Sequence, residues 1–129
     1  MAPLLDRALI VLAEDSTDLR RLLAFALERV GHRVIPVATG AALIATVRRL
    51  IADSEPLRLI VTDVRMPSLG GLEAARVLRA AGHATPLIFM TAYSDAWSRA
   101  QAAELGALLL DKPISLVALR RAVSTTLDA

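Results

Sequence analysis

The chain has 129 residues, of which 55% are hydrophobic, and its 15 basic and 13 acidic residues leave a formal net charge of +2. This length predicts one domain over residues 1–129, and the absence of cysteine excludes disulfides and cysteine-based metal or catalytic sites. The apolar runs are too short to cross a bilayer and no secretory signal is recognisable, so we expect a cytoplasmic protein. Scattered arginines and few aromatic residues argue against direct binding of nucleic acid.

Strands and helices are predicted to alternate along the whole chain. Short apolar runs indicate the strands, and apolar residues three and four apart, bounded by a Ser or Thr cap and a glycine stop, indicate the helices. No linker, repeat or low-complexity segment interrupts this alternation. In chain order we predict strand 7–13, helix 16–30, strand 33–38, helix 39–52, strand 57–63, helix 71–81, strand 86–91, helix 95–105, strand 107–111 and helix 115–127.

This alternation is typical of an α/β protein whose parallel strands are joined by crossover helices in a doubly wound sheet. The strand runs are continuously apolar, as expected when helices cover both faces of the sheet. Pro36 lies in the second strand, where it removes a hydrogen-bond donor, so we expect that strand at an edge. The strand order 2-1-3-4-5 meets this requirement.

Polar side chains stand at the predicted carboxyl ends of the strands, where ligands bind in such sheets. Glu14 and Asp15 follow the first strand, Asp63 ends the third, Thr91 ends the fourth and Lys112 follows the fifth. Three neighbouring carboxylates repel one another, and a hard divalent cation relieves that repulsion. We therefore predict a Mg²⁺ site with Asp15 and Asp63 as direct ligands, and with Glu14 acting through water or as an anchor.

Lys112 is the only lysine of the chain, beside fourteen arginines. A compact ammonium group directs one strong charge into a narrow acidic pocket better than a planar guanidinium does. A pocket with carboxylates, a metal and such a cation suits phosphoryl transfer. Asp63 is then the candidate nucleophile, while the Thr91 hydroxyl would donate to one phosphoryl oxygen and Lys112 would pair with another.

These residues, in this order and on these elements, resemble the receiver domain of the two-component response regulator family over essentially the whole chain. The residues that carry the resemblance are Glu14-Asp15, Asp63-Val64-Arg65-Met66-Pro67, Gly71, Met90-Thr91-Ala92 and Lys112-Pro113. The resemblance implies a flavodoxin-like (βα)5 fold and a cis Lys112-Pro113 bond. It also implies that Asp63 accepts phosphate from a histidine kinase or a histidine phosphotransfer protein, with Mg²⁺ held by Asp15, Asp63 and the backbone carbonyl of Arg65. The effector would bind the face formed by the fourth helix, fifth strand and fifth helix, and a homodimer is an alternative assembly.

One position departs from the family pattern. Leu109 stands where receivers usually carry Tyr or Phe, whose side chain reports phosphorylation. Tyr93 and Trp97 are candidates to replace that function, and Tyr93 is also a candidate shield of the phosphoryl group. Our hypothesis is that phosphorylation occurs and that its signal travels through a changed surface of the fourth helix.

Other functions fit the sequence less well. A Mg²⁺-dependent phosphohydrolase with an Asp nucleophile needs an acid two residues after it, where this chain has Arg65. A flavin-binding protein of the same topology needs a Ser-, Thr- or Gly-rich phosphate loop where Glu14 and Asp15 stand. Within the receiver interpretation, a stand-alone regulator, a receiver from a hybrid kinase and the receiver of a DNA-binding transcription factor without its output domain remain open.

Overall fold

The computed structural model describes residues 7–129, and within them five strands and five helices alternate. Residues 1–6 of the predicted single domain lie outside the described residues. Between residues 7 and 129, no helix is long and apolar enough to cross a membrane. The elements are β1 (Leu9–Ala13), α1 (Thr17–Arg29), β2 (Arg33–Val37), α2 (Gly40–Ala52), β3 (Leu57–Asp63), α3 (Gly71–Ala80), β4 (Leu87–Thr91), α4 (Ala96–Glu104), β5 (Leu108–Asp111) and α5 (Leu116–Asp128).

The strands form one parallel sheet in the order β2-β1-β3-β4-β5, which confirms the predicted doubly wound fold. The prediction for Pro36 is also confirmed, because β2 is an edge strand and pairs only with β1, where Pro36 lies opposite Leu12. The chain reverses its winding direction between β1 and β3. Ligand sites of such sheets form at the carboxyl ends of those two strands.

Two apolar layers cover the two faces of the sheet. Every residue of β1 is buried, and its side chains point alternately to opposite faces. Ile10 and Leu12 pack with residues of α1 and α5, whereas Leu9 and Val11 pack with residues of α2, α3 and α4. A central strand that is covered on both faces has a rigid carboxyl end. The acidic residues Glu14 and Asp15, which follow β1, and Asp63, which ends β3, are therefore held in fixed positions.

Hydroxyl and carboxylate caps begin most of the helices. The side chains of Ser16, Thr39, Asp95 and Ser115 each accept a hydrogen bond from a backbone N–H in the first turn of α1, α2, α4 and α5. Three helices are followed by a glycine with a positive φ, a conformation that costs glycine little. The predicted helices were therefore right in place, and no end differs by more than one residue. The helix starts that differ do so because the cap residue lies outside the helical turns.

The predicted starts of three strands were one or two residues too early. Pairing begins at Leu9, Leu87 and Leu108, whereas the apolar pattern had placed the starts at residues 7, 86 and 107. The carbonyls of Ala8 and Pro86 still accept the N–H groups of Arg33 and Ile60, so the chain already runs beside its neighbour before the first fully paired residue, and the sequence pattern does not mark that residue.

Candidate functional site

The predicted polar residues meet at the carboxyl edge of the sheet. Glu14 and Asp15 follow β1, Asp63 ends β3, Thr91 ends β4 and Lys112 follows β5. Beside them lies a cavity of about 200 Å³, lined by Asp63, Arg65, Met90, Thr91, Ala92, Tyr93 and Lys112. The topology thus brings together residues that are up to 98 positions apart in sequence.

Lys112 pairs with two buried carboxylates. Its ammonium nitrogen lies 2.7 Å from Oδ1 of Asp63 and 2.8 Å from Oε1 of Glu14. The Lys112 N–H donates to the carbonyl of Thr91, which fixes the backbone of Lys112 beside β4. The Lys112-Pro113 bond is cis, as the family resemblance implied. The single lysine of the chain is therefore at the centre of the acidic site.

Glu14 is fully engaged by protein groups. Its Oε1 contacts Lys112, its Oε2 accepts the N–H of Ser16 at 2.9 Å, and its side chain is buried. Arg20 of α1 donates to the backbone carbonyl of Glu14 at 2.8 Å, a contact that the sequence did not predict. Of the two functions predicted for Glu14, water-mediated ligand or anchor, these contacts favour the anchor.

Asp63 is only 1% exposed, and its charge is only partly compensated. Its Oδ2 has no hydrogen-bond partner. Burial, followed by the neighbouring Glu14 carboxylate, raises the pKa of Asp63 to about 8, although Lys112 acts in the opposite direction. A bound cation beside this buried carboxylate would stabilise its ionised form.

The pKa values of Glu14 and Lys112, the two partners of Asp63, are both shifted so as to favour the charged form. Burial alone would raise the pKa of Glu14, but interactions with Asp63, Lys112 and the Ser16 N–H outweigh burial and lower it. Burial alone would lower the pKa of Lys112, but its two carboxylate partners raise it. The site is thus a charged Glu14–Lys112 pair beside an Asp63 that favours its protonated form.

Carboxylate oxygens suited to a metal are present. One oxygen each from Glu14, Asp15 and Asp63 lies within 4.8 Å of the others. Asp15 is exposed, so its carboxylate is accessible, and Asp63 has an oxygen without a hydrogen-bond partner. Two such carboxylates with room for water match the ligands that Mg²⁺ prefers. The donor set therefore fits the predicted ion.

Thr91 is buried and its hydroxyl is used within the loop that follows β4. The hydroxyl oxygen donates to the Tyr93 carbonyl and accepts the Tyr93 N–H, both at 3.1 Å. Thr91 lines the cavity, but its hydroxyl donates to the protein backbone in this state. Tyr93 also lines the cavity and is 68% exposed. A movement of the Thr91 hydroxyl would therefore break its hydrogen bonds to the backbone of an exposed residue.

The backbone beneath Asp63 is held by close packing that the sequence did not predict. The Thr62 hydroxyl donates to the carbonyl of Asp63 at 3.1 Å. Gly71, the first residue of α3, lies so close that a Cβ there would overlap the Asp63 carbonyl and the Thr62 hydroxyl. The glycine eight residues after Asp63 thus allows α3 to begin directly against the end of β3.

The profile of the response regulator receiver domain matches residues 10–124. This chain belongs to the response regulator receiver domain family. The receiver protein CpdR of Brucella abortus is 35% identical over 108 residues, which cover 83% of this chain and 86% of CpdR. The response regulator PilR of Pseudomonas aeruginosa is 34% identical over 122 residues, covering 94% of this chain and 26% of PilR.

The fold of a solved receiver domain is also closely similar. The receiver domain of a LuxO repressor protein from Vibrio parahaemolyticus superposes with a TM-score of 0.81 at 27% identity, covering 95% of this chain and 91% of that one. Several of the curated relatives are longer proteins, of which this chain spans between about a quarter and half. The predicted family and fold are confirmed. Receiver domains are signalling modules that bind Mg²⁺ at an acidic pocket and interact with histidine kinases or phosphotransfer proteins.

Proposed function

We propose that this receiver domain is a phosphoacceptor switch in which Asp63 takes a phosphoryl group from a histidine kinase or a histidine phosphotransfer protein. The observation that carries the proposal is the pair formed by Lys112 and the buried Asp63 at the floor of an open cavity, beside the exposed carboxylate of Asp15. A buried nucleophile with one unpartnered oxygen and a cation in contact is suited to attack on phosphorus.

Each residue has a defined part in the reaction. A carboxylate oxygen of Asp63 attacks phosphorus, the bond from phosphorus to the donor histidine breaks, and the imidazole leaves. Lys112 keeps its charge beside the reacting carboxylate and pairs with a phosphoryl oxygen. Thr91 donates its hydroxyl to a second phosphoryl oxygen once it leaves the Tyr93 carbonyl. Water later attacks phosphorus, the bond from phosphorus to the Asp63 oxygen breaks, and inorganic phosphate leaves. In this proposal the reactions that the chain catalyses are its own phosphorylation and dephosphorylation.

The metal ligands in this proposal are Asp15, Asp63 and the backbone carbonyl of Arg65, with Glu14 as anchor. A bound Mg²⁺ would supply positive charge that offsets the phosphoryl oxygens and the crowded carboxylates. Glu14 holds Lys112 in place through its Oε1 and holds the start of α1 through the Ser16 N–H. Asp15 is left accessible for the ion.

The effector site proposed for this receiver is the face formed by α4, β5 and α5. Exposed apolar side chains lie on all three of these elements and on the loop before α4, namely Tyr93, Trp97, Leu108 and Val117. Such exposed apolar groups are common at protein interfaces. The cytoplasmic location and the single receiver domain over residues 1–129 remain predictions.

The test is to incubate the protein with Mg²⁺ and phosphoramidate and then to measure its intact mass. We expect a single phosphate adduct that is lost in Asp63→Asn. Asp111→Asn is the matched control, because Asp111 also ends a strand but lies outside the acidic cluster. No adduct on the unsubstituted protein, or an adduct that persists in Asp63→Asn, contradicts the proposal. Continuous turnover of p-nitrophenyl phosphate would instead favour a phosphohydrolase.

A further inference from the structure

Asp15 is a proposed metal ligand whose side chain is held less firmly than those of its neighbours. It is exposed, and its carboxylate belongs to none of the ion pairs formed between residues 7 and 129. Glu14, by contrast, is buried and paired with Lys112. A metal ligand is usually oriented by groups that contact it from outside the metal site. Because its carboxylate lacks an ion pair, Asp15 depends on its backbone for that orientation.

Arg20 holds the peptide group that leads into Asp15. One guanidinium nitrogen of Arg20, near the start of α1, donates to the Glu14 carbonyl at 2.8 Å. The other donates to the Thr17 hydroxyl at 3.4 Å. A peptide group is planar from one Cα to the next, so the Glu14 carbonyl lies in one plane with the N–H and the Cα of Asp15. A hydrogen bond that fixes this oxygen therefore restricts the whole plane.

Further contacts hold the residues on both sides of Asp15. The Glu14 N–H donates to the Val37 carbonyl of β2 at 3.1 Å, and the Glu14 carboxylate accepts the Ser16 N–H at 2.9 Å. Of these contacts, the one from Arg20 acts on the peptide bond that joins Glu14 to Asp15. Arg20 is thus the side chain best placed to set the direction of the Asp15 carboxylate.

The charge of Arg20 acts against a metal ion. Like charges repel, so a guanidinium close to the acidic cluster lowers the affinity of that cluster for a divalent cation. Arg21, the next residue, carries the same charge but is exposed and donates to neither the Glu14 carbonyl nor the Thr17 hydroxyl. A favourable effect of Arg20 on metal binding would therefore come from its hydrogen bonds, and the two arginines allow position and charge to be separated.

We propose, on the basis of the metal ligands in the proposed function, that Arg20 is a positioning residue of the Mg²⁺ site and orients Asp15 through the Glu14 carbonyl. Arg20 takes no part in the transfer of the phosphoryl group. It restricts the backbone, so that the Asp15 carboxylate is directed toward the acidic cluster before the ion binds. Without Arg20 the ion itself must order Asp15, and that cost lowers the affinity.

Titration calorimetry with Mg²⁺ on the unphosphorylated protein measures this effect. We expect Arg20→Ala to bind Mg²⁺ about tenfold more weakly than the unsubstituted protein. Arg20→Lys keeps the charge and an N–H donor, so it should recover part of the affinity. Arg21→Ala is the matched control, because it removes the same charge from the neighbouring position, and its affinity should be unchanged or slightly higher. Thermal unfolding in chelator shows that each variant is folded.

A double-mutant cycle identifies the residue through which Arg20 acts. In an Asp15→Asn background, Arg20→Ala should weaken Mg²⁺ binding by less than about twofold, because no carboxylate is left at that position to orient. Two results overturn the positioning function. One is binding in Arg20→Ala that is as tight as in Arg21→Ala, and the other is a tenfold loss that persists in the Asp15→Asn background.

Phosphorylation by phosphoramidate gives a second measurement. Arg20→Ala should need about tenfold more Mg²⁺ for half of its maximal rate, while the rate at saturating Mg²⁺ stays within about twofold. A lower maximal rate with an unchanged Mg²⁺ requirement would overturn the positioning function. Absence of the phosphate adduct from the unsubstituted protein contradicts the phosphoacceptor function alone, because calorimetry does not depend on the reaction. An unsubstituted protein that does not bind Mg²⁺ overturns the function of Arg20.

Discussion

The ammonium nitrogen of Lys112 lies 2.7 Å from Oδ1 of Asp63, so the single lysine of the chain is in direct contact with the proposed phosphoacceptor. The same ammonium contacts Glu14 at 2.8 Å, and Glu14 in turn binds the start of α1. This arrangement fixes the cation before any phosphoryl group arrives. Charge already in position needs no reorganisation during the reaction.

Lys112→Arg should impair phosphorylation although the charge is kept. The planar guanidinium is larger and cannot place one nitrogen between Asp63 and Glu14 in the same narrow space. We expect the rate of phosphorylation by phosphoramidate to fall by about tenfold or more. The control is Arg121→Lys, the reverse exchange at an exposed position of α5, which should leave the rate unchanged. An unchanged rate in Lys112→Arg would show that cation shape is unimportant here.

The sequence predicted the members of this site better than their contacts. The carboxyl ends of parallel strands meet at one edge of a sheet, so Asp63 and Lys112 could be brought together from strand order alone. The hydrogen bond from Arg20 to the Glu14 carbonyl depends on a rotamer, and the close approach of Gly71 to the Asp63 carbonyl depends on the path of the loop between β3 and α3. Neither is encoded in a spacing or a periodicity, and only the folded chain shows them.

The metal-free protein should become less stable as the pH rises, because of Asp63. Its ordinary pKa of 3.8 is raised to about 8 by burial and by Glu14. A carboxyl group whose pKa is raised on folding contributes stability that is complete below its unfolded pKa, at about pH 4. This contribution is lost as the pH rises toward its folded pKa of about 8. The pKa of Glu14 is lowered from 4.5, so its own contribution changes at lower pH. In Asp63→Asn this loss is absent.

The measurement is thermal unfolding in the presence of a chelator at several values between about pH 5 and pH 8. We expect the Tm of Asp63→Asn to exceed that of the unsubstituted protein by an amount that grows with pH, reaching about 5 °C or more. Saturating Mg²⁺ should reduce the difference, because the cation compensates the ionised carboxylate. Parallel Tm curves for the two proteins in chelator would contradict the raised pKa of Asp63.

Asp15→Asn should weaken binding of Mg²⁺ by about tenfold or more, because it removes the accessible carboxylate of the acidic cluster. Titration calorimetry with Mg²⁺ measures the affinity directly. Asp18→Asn is the matched control, since Asp18 is also exposed near the start of α1 but is not part of the cluster. Equal affinities for Asp15→Asn and the unsubstituted protein would remove Asp15 from the set of metal ligands.

Gly71→Ala should destabilise the protein and disturb Asp63 together. The added methyl group would overlap the Asp63 carbonyl, a backbone atom that cannot move without shifting the end of β3. We expect a loss of about 2–4 kcal/mol in the free energy of unfolding and a strong decrease in phosphorylation. Urea unfolding and intact mass measure the two effects.

Gly82→Ala separates backbone strain from the overlap at the site. Gly82 has a φ of +90°, but a Cβ there meets no atom within 4 Å. Its substitution should cost about 1–2 kcal/mol through strain alone and leave phosphorylation intact. If Gly71→Ala is phosphorylated as readily as Gly82→Ala, close packing against the Asp63 carbonyl does not position the acceptor.

The most direct test of the account is to locate the phosphoryl group. The protein is treated with Mg²⁺ and phosphoramidate and then with borohydride, which reduces an aspartyl phosphate to homoserine, and its peptides are sequenced by mass spectrometry. We predict homoserine at position 63 and at no other aspartate. Reduction at Asp15 or Asp111, or an intact Asp63 in a protein that carries phosphate, would contradict the assignment of Asp63 as the phosphoacceptor.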